Sequence, residues 1–336
     1  MKKSVRSAFA LSLSLALCVA MPARANDALL KVNNAEAARG VQTVTIGAFN
    51  VGFIFQSMDR GQATGGMIGA FGGATDAKSL LVGVTPAMMQ AITDAAYADL
   101  RAQLVARGYR VAEPAALFAS ADFQRVKPVA SPYEAGVRLD KKSTGKASYY
   151  KPTMLPAQFM LPGDITSSGM SGIGLSMAAG TNQYGISQYA KTSGTGVIDV
   201  TYLIDFSQLK RPGAFSFGGL QVNSGVAVLD DYSRLNLVSP GGKMTVLTVY
   251  QPIAVEGDFA TRQDVTKGAG IQKAANIASG VMGGLGRLGG FGGFGGMKFG
   301  NSKTFTFTAK PDYQAGATKA ATLANARLLD QLVVLR

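Results

Sequence analysis

Hydrophobic and polar positions follow two periods along this chain. Gln42 to Phe55 (QTVTIGAFNVGFIF) alternates at Val44, Ile46 and Ala48 and then becomes continuously apolar, the pattern of a strand buried on both faces towards its end. A helical period starts at Thr85. Thr85 is placed to cap, Pro86 suits the first helical position, Met88, Ile92, Ala96, Leu100 and Leu104 form a stripe, and Gly108 stops the helix. Tyr109 to Ala112 reads as a short strand directly after it, completing a strand, helix and strand unit. From Gln124 to Tyr184 the pattern is loop-like, punctuated by Pro128, Pro132, Pro152, Pro156 and Pro162. Alternation returns at Gly196 to Leu209. It continues at Val226 to Leu229, Arg234 to Val238 and Met244 to Tyr250, the last two joined as a hairpin by the turn at Pro240, Gly241 and Gly242. Ala269 to Met282 has a helical character, Thr304 to Thr308 is a short strand, and Ala317 to Leu335 predicts a terminal helix with Leu323, Ala326, Leu329 and Val333 on one face.

These elements define an α/β or α+β class: a single mixed sheet with flanking helices, plus Gly-rich apolar insertions. They occupy residues 42–336 as one domain, with the insertion at 124–184 and the Gly-rich segment at 280–300. Ahead of them lie an N-terminal segment, 26–41, and residues 1–25. Lys2, Lys3 and Arg6 precede an apolar run from Ala8 to Ala20, and Ala23 and Ala25 fit a signal-peptidase site, so residues 1–25 read as a secretory signal. That apolar run is too short for the ~20 residues of a membrane-spanning helix. Cys18 follows Leu17, not the small residue of an acylation site.

Composition narrows the chemistry. The 336 residues carry 33 Lys and Arg against 20 Asp and Glu, with no His, no Trp and one Cys. Without His there is no Ser-His-Asp or Cys-His relay and no HExxH zinc site, and one Cys cannot build a zinc or iron–sulfur cluster. Cleavage after Ala25 removes four basic residues and no acidic one, which leaves a net charge of +9 and no thiol. Such a charge favours anionic envelope surfaces, and export makes nucleic acid an unexpected partner. No metal, cofactor or catalytic residue is expected. The carboxylate pairs Asp230/Asp231, Glu256/Asp258 and Asp199/Asp205 are the material a glycosidase would need, and they read more simply as caps and solvated charge.

Three segments stand out. Gly61, Gly65, Gly69 and Gly73 recur every four residues, which on a helix makes a glycine ridge for close packing or membrane contact; as a flexible loop it is only a connector. Gly280 to Gly300 holds eleven glycines interleaved with Leu285, Leu288, Phe291 and Phe294, either an apolar loop that docks on a membrane or subunit or a disordered insertion. Its two GxGxxG matches lack the strand before and the helix after that a dinucleotide site needs. Arg138, Lys141, Lys142, Lys146 and Lys151 flank Tyr149 and Tyr150, a basic and aromatic cluster suited to an anionic ligand, or simply a solvated loop.

Four parts of the chain, TVTIGAFNVGF, MMQAITDAAYADLRAQLVARGYRVAEP, GVIDVTYLIDF and SRLNLVSPGGKMTVLTV, together resemble the periplasmic α/β module of the curli-secretion-channel family and related envelope lipoproteins. The resemblance implies an envelope assembly or transport role, often as an oligomeric ring. The acylated N-terminal Cys of many relatives has no counterpart here. The expectation is an exported, non-enzymatic protein of the periplasm, outer membrane or cell surface. It is expected to be a homo-oligomer that meets the membrane surface or other envelope proteins, and to serve as a scaffold for transport or surface-structure assembly. The alternative is a soluble module that binds an anionic glycan or lipid.

Overall fold

The structure, a computed structural model, describes residues 29–62, 74–139, 143–165, 170–210, 221–266 and 302–336. In chain order the elements are β1 (Leu30–Asn33), β2 (Thr43–Gln62), β3 (Ala74–Val82), α1 (Pro86–Ala106), β4 (Arg110–Ala112), α2 (Ala115–Phe118), β5 (Tyr133–Arg138), β6 (Ser143–Tyr150), α3 (Met170–Ser193), β7 (Gly196–Lys210), β8 (Gln221–Val228), β9 (Arg234–Val238), β10 (Met244–Val249), β11 (Ile253–Val255), β12 (Ala260–Asp264), β13 (Ser302–Ala309) and α4 (Tyr313–Leu335). All thirteen strands belong to one mixed sheet, the expected class.

β2 is its spine. It runs parallel to β4 and β7 and antiparallel to β6 and β3. Its pairing with β7 extends from Val44 and Gly196 to Phe53 and Ile204, after which each strand continues with its own hairpin partner, β3 for β2 and β8 for β7. Beyond β7 the order is β9, β10, β1; beyond β3 it is β13, parallel to β3, and then β12.

α1 forms where its capping signals place it. The Met88 amide donates to the Thr85 hydroxyl at 3.2 Å, Pro86 occupies the first turn, and Gly108 closes the end at φ +82°, a left-handed value that favours glycine. α1 and α4 pack side by side on one sheet face, where Phe49 meets Tyr97 and Tyr202 edge-on at 5.8 and 5.7 Å. The buried face of α4 is Ala317, Ala320, Ala321, Ala324, Leu328, Leu329 and Leu332. Leu323, expected inside with Ala326 and Val333, is exposed. The correction has a simple cause: alanines let the α4 backbone approach α1, so the small residues face inward and the larger Leu323 is rotated out.

The opposite face carries a second correction. The region expected to be an insertion of loop contains β5, β6 and the larger part of α3. β5 and β6 are held by pairing, β6 along β2 from Tyr150 to Ser143 and β5 along β6, although their sequences YEAGVR and STGKASYY are too polar and glycine-interrupted to signal strands. The stretch after β6 is tied down by side chains: Asn50 donates to the Phe159 carbonyl at 3.0 Å, Gln158 to the Tyr149 carbonyl at 3.1 Å, and Asn182 of α3 to the Met160 carbonyl at 2.9 Å. Buried polar groups finding partners in this way turn a proline-punctuated segment into a fixed layer.

Candidate functional site

Strand direction brings the open ends of four pairs together. β2 and β7 run the same way; β3 and β6 oppose β2, β8 opposes β7, β5 opposes β6, and β12 opposes β13, which runs with β3. Gln62 and Ala74, Arg138 and Ser143, Lys210 and Gln221, and Asp264 and Ser302 therefore all lie towards one end of the sheet. Gly65, Gly69, Gly73, Leu285, Leu288, Phe291, Phe294, Lys141 and Lys142 fall between these ends in sequence and lie outside the described residues, as do residues 1–28 and Ala269 to Met282. Gly61 is described, and it is not helical. It pairs with Thr75 at the end of the β2–β3 ladder, so a helical glycine ridge cannot begin there; strand pairing has set a period of two in its place.

The same register assembles cations near this end. Arg138, Thr144, Met58, Lys78 and Thr304 stand in one cross-strand row, and Gly136, Lys146, Gln56, Leu80 and Thr306 in the row two residues along, on the same face. Arg138 and Lys146 of the sequence-predicted cluster are thus joined by Lys78, which sequence reasoning missed because it lies 60 residues or more away along the chain. Burial, and secondarily the Lys146 charge, lowers the Lys78 pKa below the usual lysine range. Burial raises Glu134, next along that face, above the ordinary carboxyl value, partly offset by Lys146.

The rest of the cluster is corrected. Tyr149 and Tyr150 are 1% and 4% exposed, so neither ring is free to stack on a sugar. Tyr149 lies flat against Gly52, where an added Cβ would come within 2.5 Å of the ring, and Tyr150 packs edge-on against Phe53. Two consecutive residues of a strand face opposite ways, and here both faces are covered. Lys151 donates to the carbonyls of Leu155 at 2.6 Å and Pro152 at 3.3 Å, which fixes its ammonium on the following turn.

The carboxylate pairs singled out in the sequence fall in different settings. Asp199 and Asp205 are six strand residues apart, roughly 20 Å. Asp231 bonds Lys31 at 2.8 Å, and Asp258 bonds Lys310, both with exposed carboxylates. Asp199 instead keeps company with Asp164, a neighbour that sequence spacing cannot reveal. Asp199 is 1% and Asp164 2% exposed. Asp164 accepts from the Leu161 amide at 2.7 Å and from Asn236 at 3.4 Å, and Asn236 is the direct cross-strand partner of Asp199. Desolvation raises the Asp164 pKa to about 6 against the pull of Arg234 and these donors. Asp199 is pushed well above the ordinary value by burial and then by Asp164, with only the Ala48 amide favouring its charge. Neither Asp199 oxygen nor the Asn236 side-chain oxygen has a well-formed hydrogen bond. Burial thus favours the neutral form of the Asp199 carboxyl.

Among the described residues no group of three His, Cys, Asp or Glu side chains is placed to hold a metal ion, and no helix is long and apolar enough to cross a membrane. At the far end of the sheet a depression of about 170 Å³ is lined by Gln42, Thr43, Arg110, Gly194 and Pro240, with the Arg110 guanidinium donating to the Thr43 hydroxyl at 3.0 Å. No protein-family model, curated protein or solved structure matches the chain.

Proposed function

We propose that this chain is an exported, non-enzymatic cell-envelope protein that self-assembles into a scaffold supporting transport or surface-structure assembly at the outer membrane. The observation that carries the reading is the convergence of four strand pairs on one end of the sheet. The chain between two of those pairs is rich in glycine and apolar residues, and the signal-like residues 1–25 point to export. A body with its helices and core on the strand layers, and with the strand ends that flank its apolar low-complexity sequence gathered at one end, is suited to present that end to lipid or to neighbouring subunits. The expected result is a discrete, detergent-dependent oligomer when the mass of the processed protein is measured by light scattering with and without detergent. A monomer in both conditions would sink the reading.

A second reading, a module that binds an anionic glycan or lipid, is favoured by the Arg138, Lys146 and Lys78 face. It predicts that vesicles containing phosphatidylglycerol bind the protein in a salt-sensitive way, and that Lys78→Ala with Lys146→Ala weakens binding about thirtyfold, in line with two lost cationic contacts of roughly 1 kcal/mol each at a lipid surface. Binding unchanged by salt and by the double substitution counts against it.

A further inference from the structure

α3 carries a face that the body leaves uncovered. Its inner side is Ala179, Asn182, Ile186, Tyr189 and Ala190, all buried. On the outer side Ile173, Met177 and Tyr184 are 63%, 72% and 52% exposed, and Gly180 faces open space where a Cβ would be. These four positions, spaced by four, three and four, fall on one narrow stripe of an α-helix. From Ile165 to Ala190 the sequence has no Asp, Glu, Lys or Arg, in a chain whose net charge is +13. At the C-terminal end of the stripe the Arg125 guanidinium lies 5.6 Å from the Tyr184 ring.

We infer that this stripe is a self-association surface, occupied by α3 of a second copy packed antiparallel about a two-fold axis near Met177. The inference rests on the self-assembly reading above and names the surface. Two observations choose the occupant. A second copy carries the same positive charge, so approach is favoured along this long uncharged face. The stripe is also self-complementary in shape: with the axis near Met177, Ile173 of one copy meets Gly180 of the other, a branched side chain over a bare backbone, and the reverse contact follows by symmetry. A membrane surface fits less well, because helices that lie in the lipid interface carry Lys or Arg along their polar side, and α3 has none before Lys191.

Gly180→Leu is the decisive substitution, because replacing an exposed helical glycine by leucine favours the helix, so loss of association cannot be attributed to unfolding. The mass of the processed protein is measured across a dilution series for the wild type and for Gly180→Leu, and Met177→Cys is tested for oxidative cross-linking. The expected result is that Gly180→Leu weakens self-association at least tenfold and that Met177→Cys gives a disulfide-linked pair. A wild type that assembles while Gly180→Leu keeps its mass and Met177→Cys stays uncross-linked overturns this surface and leaves the scaffold reading standing. A wild type that is monomeric throughout overturns both.

Discussion

Replacing Asp199 by Asn is expected to stabilise the protein at pH 8 and to leave it nearly unchanged at pH 4. Asp199 lies on β7 with 1% of its surface exposed and no well-formed hydrogen bond to either carboxyl oxygen. Burial and the neighbouring Asp164 hold its pKa well above the ordinary value in the folded state. In the unfolded chain it ionises near the normal Asp value of about 3.9. Above that pH the folded state binds more protons than the unfolded one, so stability falls as pH rises towards the folded pKa. Below it both states are protonated and nothing is lost. Asn imitates the neutral acid in shape and removes the titration, so the gain should grow with pH. Asp164 has the same sign: its shift to about 6 corresponds to about 3 kcal/mol lost progressively between roughly pH 4 and 6. Asp164→Asn should recover less, because the Leu161 and Asn236 donors and Arg234 are better served by a carboxylate. Melting temperatures of wild type and Asp199→Asn from pH 4 to 8 decide the matter. Two parallel curves would show that Asp199 is not held neutral.

Those two carboxyls also mark where sequence reasoning stops. Asp199 could be seen as an acid in an apolar strand, GVIDVTYLIDF, and its burial follows from the continuous apolar pattern of a central strand. Asp164 is 35 residues earlier, in a glycine turn, and only the layer that folds back over β7 and β9 brings it near. The same contrast runs through the fold. β2, α1, β7 and the β9–β10 hairpin were legible because burial on one or both faces writes a period into the residues. The Thr85 cap and the Gly108 stop were legible because they act locally. β5, β6 and β12 sit towards the edges of the sheet, where half-exposed positions accept Lys, Thr and Gly, so pairing and not composition defines them. α3 was illegible for a related reason. Its glycines at 172, 174, 180 and 185 weaken any helical signal, and what keeps it helical is a one-sided anchor of Asn182, Ile186, Tyr189 and Ala190 against the body. In the basic cluster the charges were readable but the fates of Tyr149 and Tyr150 were not. Adjacent tyrosines look like a surface platform until both faces of their strand prove to be covered.

Asn325→Ala is expected to be among the most damaging single substitutions outside the large core side chains. Asn325 is fully buried in the alanine stripe of α4 and joins three elements: its amide donates to the Ala96 carbonyl at 2.9 Å and to Asp99 at 2.7 Å, both on α1, and its oxygen accepts from the Tyr202 hydroxyl of β7 at 2.7 Å. Alanine keeps the helix but deletes all three bonds. The Tyr202 hydroxyl is left buried without a partner, which alone costs about 1–3 kcal/mol. The bond to the Asp99 carboxylate is charge-assisted and worth about 1.5–3 kcal/mol. Asp99 keeps the Gln103 amide at 2.7 Å, which limits its share of the damage. A total near 4 kcal/mol follows, a size seen when a buried network is broken. Tyr202→Phe should cost less, about 1–2 kcal/mol, since it orphans only the Asn325 oxygen while the ring stays against Phe49. The double variant tests the account most sharply. With Phe at 202 the orphaned hydroxyl no longer exists, so the two losses should sum to more than the double variant shows, by roughly 1 kcal/mol or more. Urea unfolding of the two single variants and the double variant measures this. Strict additivity would mean that Asn325 and Tyr202 do not act as one joint between α4 and the sheet, and that α4 is held by its alanine packing alone.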